Sequence, residues 1–245
     1  VFAFALSAGH READRVISID LKMITIGQLT GAKSNKQLIG RIFHGTKYKV
    51  DYEPNMEDYL LCHAAFVMPA AFACYKTDGD LKKLRGDTAY LNRLLDANIE
   101  GYRAIRNAGH AILPKADVDF EGEKYRKTCL RFFKLMCATS LGKLCASDHA
   151  MNTIDEMSAL NRDLKKFFDE HGAAYPVWHL RADEGAGTVR PDTGFVTSGL
   201  HHERSGRCDK FCAAVHPCLR RALLRLRVQK ERVTNDEEEG NLSFP

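Results

Sequence analysis

The chain has no apolar run long enough to span a membrane. Its most apolar stretch, residues 60–74, is interrupted by His63 and Pro69, whereas a membrane-spanning helix needs about 20 consecutive apolar residues. The apolar residues at 1–6 have no basic residue before them and are soon followed by charged ones, which is not the pattern of a signal peptide. We therefore expect neither a membrane-embedded protein nor a signal peptide.

The chain also lacks a strong excess of charge of either sign. It has 36 Lys and Arg against 32 Asp and Glu, a net charge of +4, and this excess is too small to indicate nucleic-acid binding. Five of its eight cysteines lie among apolar residues, as buried thiols commonly do; these are Cys62, Cys74, Cys129, Cys137 and Cys145. We expect reduced cysteines, a cytoplasmic location, and neither a nucleic-acid nor a membrane partner.

Nowhere in the chain does a G-x-G-x-x-G turn follow a strand-like segment, so the sequence lacks the motif that holds the pyrophosphate of a dinucleotide. Residues 1–7 and 15–28 are rich in Val, Ile and Phe and partly alternate, which predicts two strands. Ser34 is a candidate N-cap for a short helix, and residues 47–53 again alternate like a strand. We therefore predict a small β-α-β element over residues 1–53.

Beyond residue 53 the apolar residues recur every three or four positions, which is typical of amphipathic helices. Four long helices are predicted, at 55–75, 87–109, 123–145 and 150–171. Pro69 should kink the first of them, because proline removes a backbone donor and clashes with the preceding turn. The predicted fold class is mainly α, with a helical bundle over residues 54–182. A linker and a basic, poorly ordered tail follow at 183–245.

Two segments of the bundle carry polar side chains in an apolar context. In the first, residues 55–81, His63 is either a core histidine or a proton donor and substrate contact, and an Asp-Gly turn ends the helix. The second, residues 142–164, crowds polar residues into two helical turns: Asp148, Asn152, Asp155 and Glu156. These residues either cap a helix and face solvent or line a cleft, and their spacing leaves both alternatives open.

In order and separation, these segments resemble the C-terminal half of ketopantoate reductases, the NADPH-dependent 2-dehydropantoate 2-reductases. The opening FALSAGHREADRVISI is similar to the strand and turn that close the family's nucleotide-binding half. PAAFACYKTDGDL is similar to the family's proline followed by Asn-Gly-Glu-Leu, with Asp78, Gly79, Asp80 and Leu81 in the equivalent places. The resemblance covers roughly the first three quarters of the chain.

This resemblance implies a helical domain of the 6-phosphogluconate-dehydrogenase C-terminal type, preceded by a small β element left from a truncated Rossmann domain. The family reduces a 2-oxo acid to a 2-hydroxy acid with NADPH, and its helical domain also supplies the subunit contacts of a homodimer. By the same resemblance Glu156 contacts the cofactor, and Asp78 and Asn161 bind the substrate. Asn152, which lies in the same polar run as Glu156, is a further predicted substrate residue.

The match departs from the family at the reacting centre. This chain has Leu60 at the position of the family's catalytic Lys. It has Ala64 and Met68 at the positions of the two substrate-contacting Asn residues, and Leu144 at the position of the substrate-contacting Ser. His63 lies one helical turn from Leu60 and is the predicted replacement acid. A substrate other than ketopantoate is expected, because four polar contacts are gone. Without a nucleotide-binding half, the chain is expected to be inactive.

Two alternatives to the enzyme are open. The first alternative is that the chain is a non-catalytic helical interaction module. The second is that its tail binds zinc or nucleic acid. The spacing of Cys208, Cys212, His216 and Cys218 is not that of a common structural zinc site, so no metal is expected. An in-frame strand and G-x-G-x-x-G turn upstream of Val1 would favour the enzyme, whereas a start codon without such a domain would favour the module.

Overall fold

The computed structural model describes residues 1–11, 13–28 and 36–178. They form a mainly helical protein with a small mixed sheet at the N-terminal end, which confirms the coarse fold class predicted from the sequence. The predicted tail at 183–245, with the candidate zinc ligands Cys208, Cys212, His216 and Cys218, lies outside the described residues.

The sheet follows the predicted β-α-β order. Strands β1 (Phe2–Arg11) and β2 (Val16–Gly27) pair antiparallel, helix α1 (Lys36–Phe43) follows, and β3 (Lys49–Glu53) pairs parallel with β2. The strand order is β1-β2-β3. Parallel neighbours need a crossover connection rather than a tight turn, and α1 lies within that crossover.

The helical part consists of three long helices, a broken segment and a fourth long helix. In chain order these are α2 (Met56–Lys76), α3 (Thr88–Asn107), α4 (Glu123–Ala138), the short α5 (Ser140–Gly142), a π-helical turn (Lys143–Ser147), α6 (Asp148–Asn152) and α7 (Ile154–Glu170). Single 3-10 turns at Leu81–Leu84 and Lys115–Asp117 lie in the connections.

Helix α2 is the core helix of this protein. It begins after the N-cap Asn55, whose side-chain oxygen accepts a hydrogen bond from the Asp58 backbone N–H, and Pro69 does not interrupt it. Contrary to the expectation from its interrupted apolar run, α2 is long enough and has a high enough mean hydropathy to be a candidate membrane span, but 78% of its most apolar window is buried inside the fold. Such burial is typical of the central helix of a globular core.

The helical structure is interrupted where the periodicity predicted two continuous helices. The predicted helix 123–145 ends at Ala138, and the predicted helix 150–171 begins only at Ile154. Between them, Thr139 has an extended backbone, and its hydroxyl accepts a hydrogen bond from the backbone N–H two residues later. Apolar residues continue across the break, so their spacing alone does not reveal it.

The five described cysteines are buried and free, as predicted. Burial raises the pKa of Cys62, Cys74 and Cys129 to about 12 and that of Cys137 to about 11. A thiol that stays protonated at neutral pH is a poor nucleophile and a poor metal ligand. These cysteines therefore serve packing, and the cytoplasmic location stays a prediction.

A buried carboxylate joins the start of α2 to the loop that follows α3. Asp58 is 6% exposed and accepts hydrogen bonds from His110 Nδ1 at 2.7 Å, from the Ala111 backbone N–H at 2.7 Å and from Asn55 Nδ2 at 2.6 Å. Three donors satisfy most of the acceptor capacity of a carboxylate and offset the cost of burying it.

Asp58→Ala should lower the free energy of unfolding by about 2–5 kcal/mol, because it leaves the donors of His110 and Ala111 without their acceptor. The exposed neighbour Glu57 provides the matched control. Glu57→Ala should lose only the interaction with the helix N-terminus, about 0.3–1 kcal/mol. Urea denaturation followed by circular dichroism measures both variants, and equal losses would contradict the role given to Asp58.

Candidate functional site

One cleft in the described part of the chain is lined by charged and polar side chains from three elements. It has a volume of about 430 Å³ and lies between the turn after α2 (residues 78–82), the end of α4 and the broken segment 139–152. Buried side chains that line it include Leu81, Met136 and Ser147. Exposed side chains around it are those of Asp78, Asp80, Lys82, Lys143 and Asn152. We refer to this site as the cleft.

The turn after α2 places two aspartates on the cleft. Asp78 and Gly79 both have left-handed backbone conformations, with φ angles of 53° and 76°, so the chain changes direction as soon as the helix ends. The Gly79 N–H donates to the Cys74 carbonyl at 2.8 Å. Asp80 then caps the next turn by accepting a hydrogen bond from the Lys82 N–H at 3.2 Å. Asp and Gly both tolerate this conformation, which explains the turn from its local sequence.

The broken segment forms another wall of the cleft. Its π-helical turn contributes Lys143 and Ser147 to the cleft, and π turns within helices are frequent at functional sites. Gly142 precedes this turn, and a Cβ atom there would lie 2.1 Å from the carbonyl oxygen of Met136. Only glycine therefore lets the segment pack so closely against the end of α4.

The cleft brings together two of the predicted substrate residues, Asp78 and Asn152. They come from the two polar segments that the sequence singled out, 70 or more positions apart in the chain. Asp148 also lines the cleft, and its backbone carbonyl accepts a hydrogen bond from Asn152 Nδ2. Of the two alternatives for the second segment, Asp148 and Asn152 thus fit a polar cleft.

The other two predicted binding residues lie elsewhere. Glu156 is exposed in the first turn of α7 and does not line the cleft. Asn161 Oδ1 accepts a hydrogen bond from the indole N–H of Trp178 at 3.0 Å, and Asn161 borders a separate depression of about 430 Å³ along α7. Asn161 therefore helps to hold the buried Trp178, and the binding roles of Glu156 and Asn161 stay predictions.

His63, the predicted acid, is also outside the cleft. Its half-buried ring lies against Phe4 of β1, with centroids 4.5 Å apart, and close to His149 of α6. Burial, with a further contribution from His149, lowers the pKa of His63 to about 4. The imidazole is therefore neutral at pH 7, which runs against proton donation from an imidazolium. A neutral imidazole can still donate a hydrogen bond.

Apolar packing occupies the positions at which the resembling family has polar contacts. Leu60 packs against a small apolar cluster formed by Met56, Tyr59 and Leu113. Met68 is 1% exposed in the main core, and Ala64 packs against that core. Leu144 is half-buried in the π-helical turn. This face of α2 thus contributes to packing in the present chain.

Sequence reasoning missed a buried polar cluster that links α3 to α4. The Tyr102 hydroxyl donates to Asp117 Oδ2 at 3.0 Å, and the Tyr125 hydroxyl donates to Asn98 Oδ1 at 2.9 Å. All four residues are at most 5% exposed, and burial raises the pKa of Asp117 to about 6. The spacing of four between Asn98 and Tyr102 was an available signal, since such residues share a helix face.

No protein-family model matches this chain, and no curated protein or solved structure matches it. Within the described residues, no group of three or more His, Cys, Asp and Glu side chains is arranged to hold a metal ion. A functional proposal therefore rests on the chemistry of the cleft together with the sequence resemblance.

Gly142→Ala should destabilise the protein by about 2 kcal/mol or more, because the added methyl group would overlap the Met136 carbonyl and force the cleft wall to move. Gly40→Ala in α1 is the control. Nothing lies within 4 Å of a Cβ at Gly40, so the higher helix propensity of alanine should stabilise the folded protein by about 0.5–1 kcal/mol. Thermal denaturation measures both, and a Gly142→Ala protein as stable as the wild type would show that this close packing is not required.

His63 and Asp117 have pKa shifts that change stability in opposite directions at acid pH. The contribution of His63 to stability should fall as the pH is lowered from 6.5 towards 4, because His63 is protonated in the unfolded chain but stays neutral in the folded one over this range. The unfolded state then binds more protons, and the contribution reaches about 3 kcal/mol at most. His63→Gln should remove it. His44→Gln should not, because His44 is exposed in the folded protein. Urea denaturation across this pH range is the measurement, and an unchanged pH dependence in His63→Gln would refute the low pKa.

Proposed function

We propose that this chain is the substrate-binding and dimerisation domain of a ketopantoate-reductase-like, NADPH-dependent oxidoreductase that reduces a 2-oxo acid to a 2-hydroxy acid. The finer fold type proposed with it is the helical domain of the 6-phosphogluconate-dehydrogenase C-terminal type. A homodimer, expected from the same resemblance, is part of the proposal.

The observation that carries the proposal is the meeting of Asp78 and Asn152 in one cleft. These residues belong to the two segments through which the sequence resembles the reductases, and both are predicted to bind the substrate. The architecture is compatible with it, since a β-α-β element precedes a long apolar helix that contains Pro69.

The cleft has the chemistry that a small 2-oxo acid needs. The ammonium group of Lys143 offers a positive charge for the substrate carboxylate, and no described residue forms an ion pair with this lysine. Asn152 brings an amide group that can hydrogen-bond to the keto oxygen, whereas the buried hydroxyl of Ser147 is paired with Cys74 Sγ at 3.7 Å. Leu81 and Met136 provide apolar surface for the carbon chain.

The residues of this chain do not by themselves form a complete NADPH site. The sequence contains no G-x-G-x-x-G turn, so the phosphate-binding turn of a dinucleotide site is missing. Glu156 is the one cofactor contact that the resemblance assigns. The part of the reaction proposed for this chain is therefore to bind and orient the 2-oxo acid.

A second candidate function is a non-catalytic helical interaction module. The observation that favours it is the apolar packing of Leu60 and Met68, where the reductases have polar groups. The neutral state of His63 at pH 7 points in the same direction. The two candidates differ in whether a 2-oxo acid binds to the cleft.

Binding of 2-oxohexanoate to the full chain, measured by isothermal titration calorimetry, tests the proposal. Lys143→Met should weaken binding by about tenfold, because a charge-assisted contact to the carboxylate is lost. Lys124→Met is the matched control: Lys124 is exposed on α4 and does not line the cleft. It should leave the affinity unchanged. Equal effects of the two substitutions would contradict the assignment of the carboxylate to Lys143.

Consumption of NADPH separates the enzyme from the module. The product of the whole gene, with any sequence in frame before Val1, should oxidise NADPH in the presence of a 2-oxo acid, monitored by the loss of nicotinamide absorbance. Absence of both 2-oxo acid binding and NADPH oxidation would exclude the oxidoreductase and leave the interaction module.

A further inference from the structure

We propose that the cleft selects 2-oxo acids that carry a positively charged group at the end remote from the carboxylate. This inference rests on the function proposed above and extends it from a reaction to a substrate class. It arises from the distribution of charge around the cleft, which the resemblance to the reductases does not specify.

Acidic side chains outnumber basic ones around the cleft. Three carboxylates and two ammonium groups line it: Asp78, Asp80, Asp148, Lys82 and Lys143. When the substrate carboxylate pairs with Lys143, the remaining charges are three negative and one positive. A second carboxylate on the substrate is then repelled, whereas a cationic group is attracted.

Each wall of the cleft carries acidic and basic groups. The turn after α2 carries Asp78, Asp80 and Lys82, whereas the broken segment carries Lys143 and Asp148. Asp80 uses one carboxylate oxygen to cap Lys82 N–H, and its second oxygen provides a further acceptor. A ligand that spans the cleft can therefore place its carboxylate at Lys143 and a cation at the aspartates.

Apolar side chains of the same cleft provide surface for the middle of such a ligand. Leu81 and Met136 are buried, and Met151 is half-buried beside Gly79, where a Cβ atom would lie 3.2 Å from the Met151 side chain. The volume of about 430 Å³ lies within the usual range for small-molecule sites. A short methylene chain between the carboxylate and the cation fits this surface.

The two aspartates of the turn can be neutralised without changing its conformation. Asn tolerates the left-handed backbone as well as Asp does, so Asp78→Asn keeps the φ angle of 53° accessible. Asn is also as good an N-cap as Asp, so Asp80→Asn keeps the hydrogen bond to the Lys82 N–H. The double variant therefore removes charge and retains the shape of the turn.

Three probes of similar length distinguish the substrate classes in calorimetric titrations of the full chain: 5-guanidino-2-oxopentanoate, which is cationic at its far end, 2-oxohexanoate, which is neutral there, and 2-oxoadipate, which is anionic. The guanidinium probe should bind about threefold to tenfold more tightly than the neutral one, the scale expected for partly exposed ion pairs. The dicarboxylate should bind most weakly, and added salt should reduce the differences.

In the Asp78→Asn, Asp80→Asn double variant the guanidinium and neutral probes should bind with nearly equal affinity. Asp163→Asn, an exposed position on α7 outside the cleft, should retain the wild-type preference. The ranking of the three probes on the unmodified chain tests the inference without any variant.

Two results would overturn the inference. If 2-oxo acids bind but the neutral or the anionic probe binds as tightly as the guanidinium probe, the substrate class is wrong and the proposed oxidoreductase function stands. The same holds if the double variant keeps the full preference. If none of the three probes binds, the proposed function and the substrate class both fail.

Discussion

Burial of helix α2 constrains the positions of the other helices. Fifteen of its 21 residues are buried, and each large apolar side chain removed from water contributes about 1.5–3 kcal/mol. Gly101 allows α3 to approach closely, since a Cβ atom there would lie 3.2 Å from Ala65 Cβ and 3.0 Å from the Trp178 ring. The broken segment and α7 also pack against α2. A substitution that adds volume along this helix therefore acts on the whole fold.

The same burial determines which titratable groups are available for chemistry. Interior thiols stay protonated, His63 stays neutral at pH 7, and the carboxyl of Asp117 has a pKa raised to about 6. Each shift disfavours the charged form because the interior solvates charge poorly. Charged side chains are instead exposed around the cleft, where Asp78 and Lys143 keep contact with water. We therefore expect the cleft to bind the ligand and the residues along the middle of α2 to serve packing.

Much of the fold could be predicted from local patterns. Alternating residues predicted β1 and β2, and helical spacing predicted α2 and α3. Local periodicity reveals the one buried face of α3, whereas α2 is buried over most of its surface. The break after Ala138 could not be predicted. It depends on the hydroxyl of Thr139 and on the close contact between Gly142 and Met136, neither of which alters the spacing of apolar residues.

The candidate site was predicted only in part. The sequence by itself determined the Asp78-Gly79 turn and the polar run that includes Asn152, because turn chemistry and helix capping depend on neighbouring residues. Only the tertiary structure decided that Asp78 and Asn152 line one cleft, that Asn161 bonds to Trp178, and that His63 lies beside Phe4. Contacts between residues distant in the chain depend on how the helices pack, and the spacing within one helix does not specify that packing.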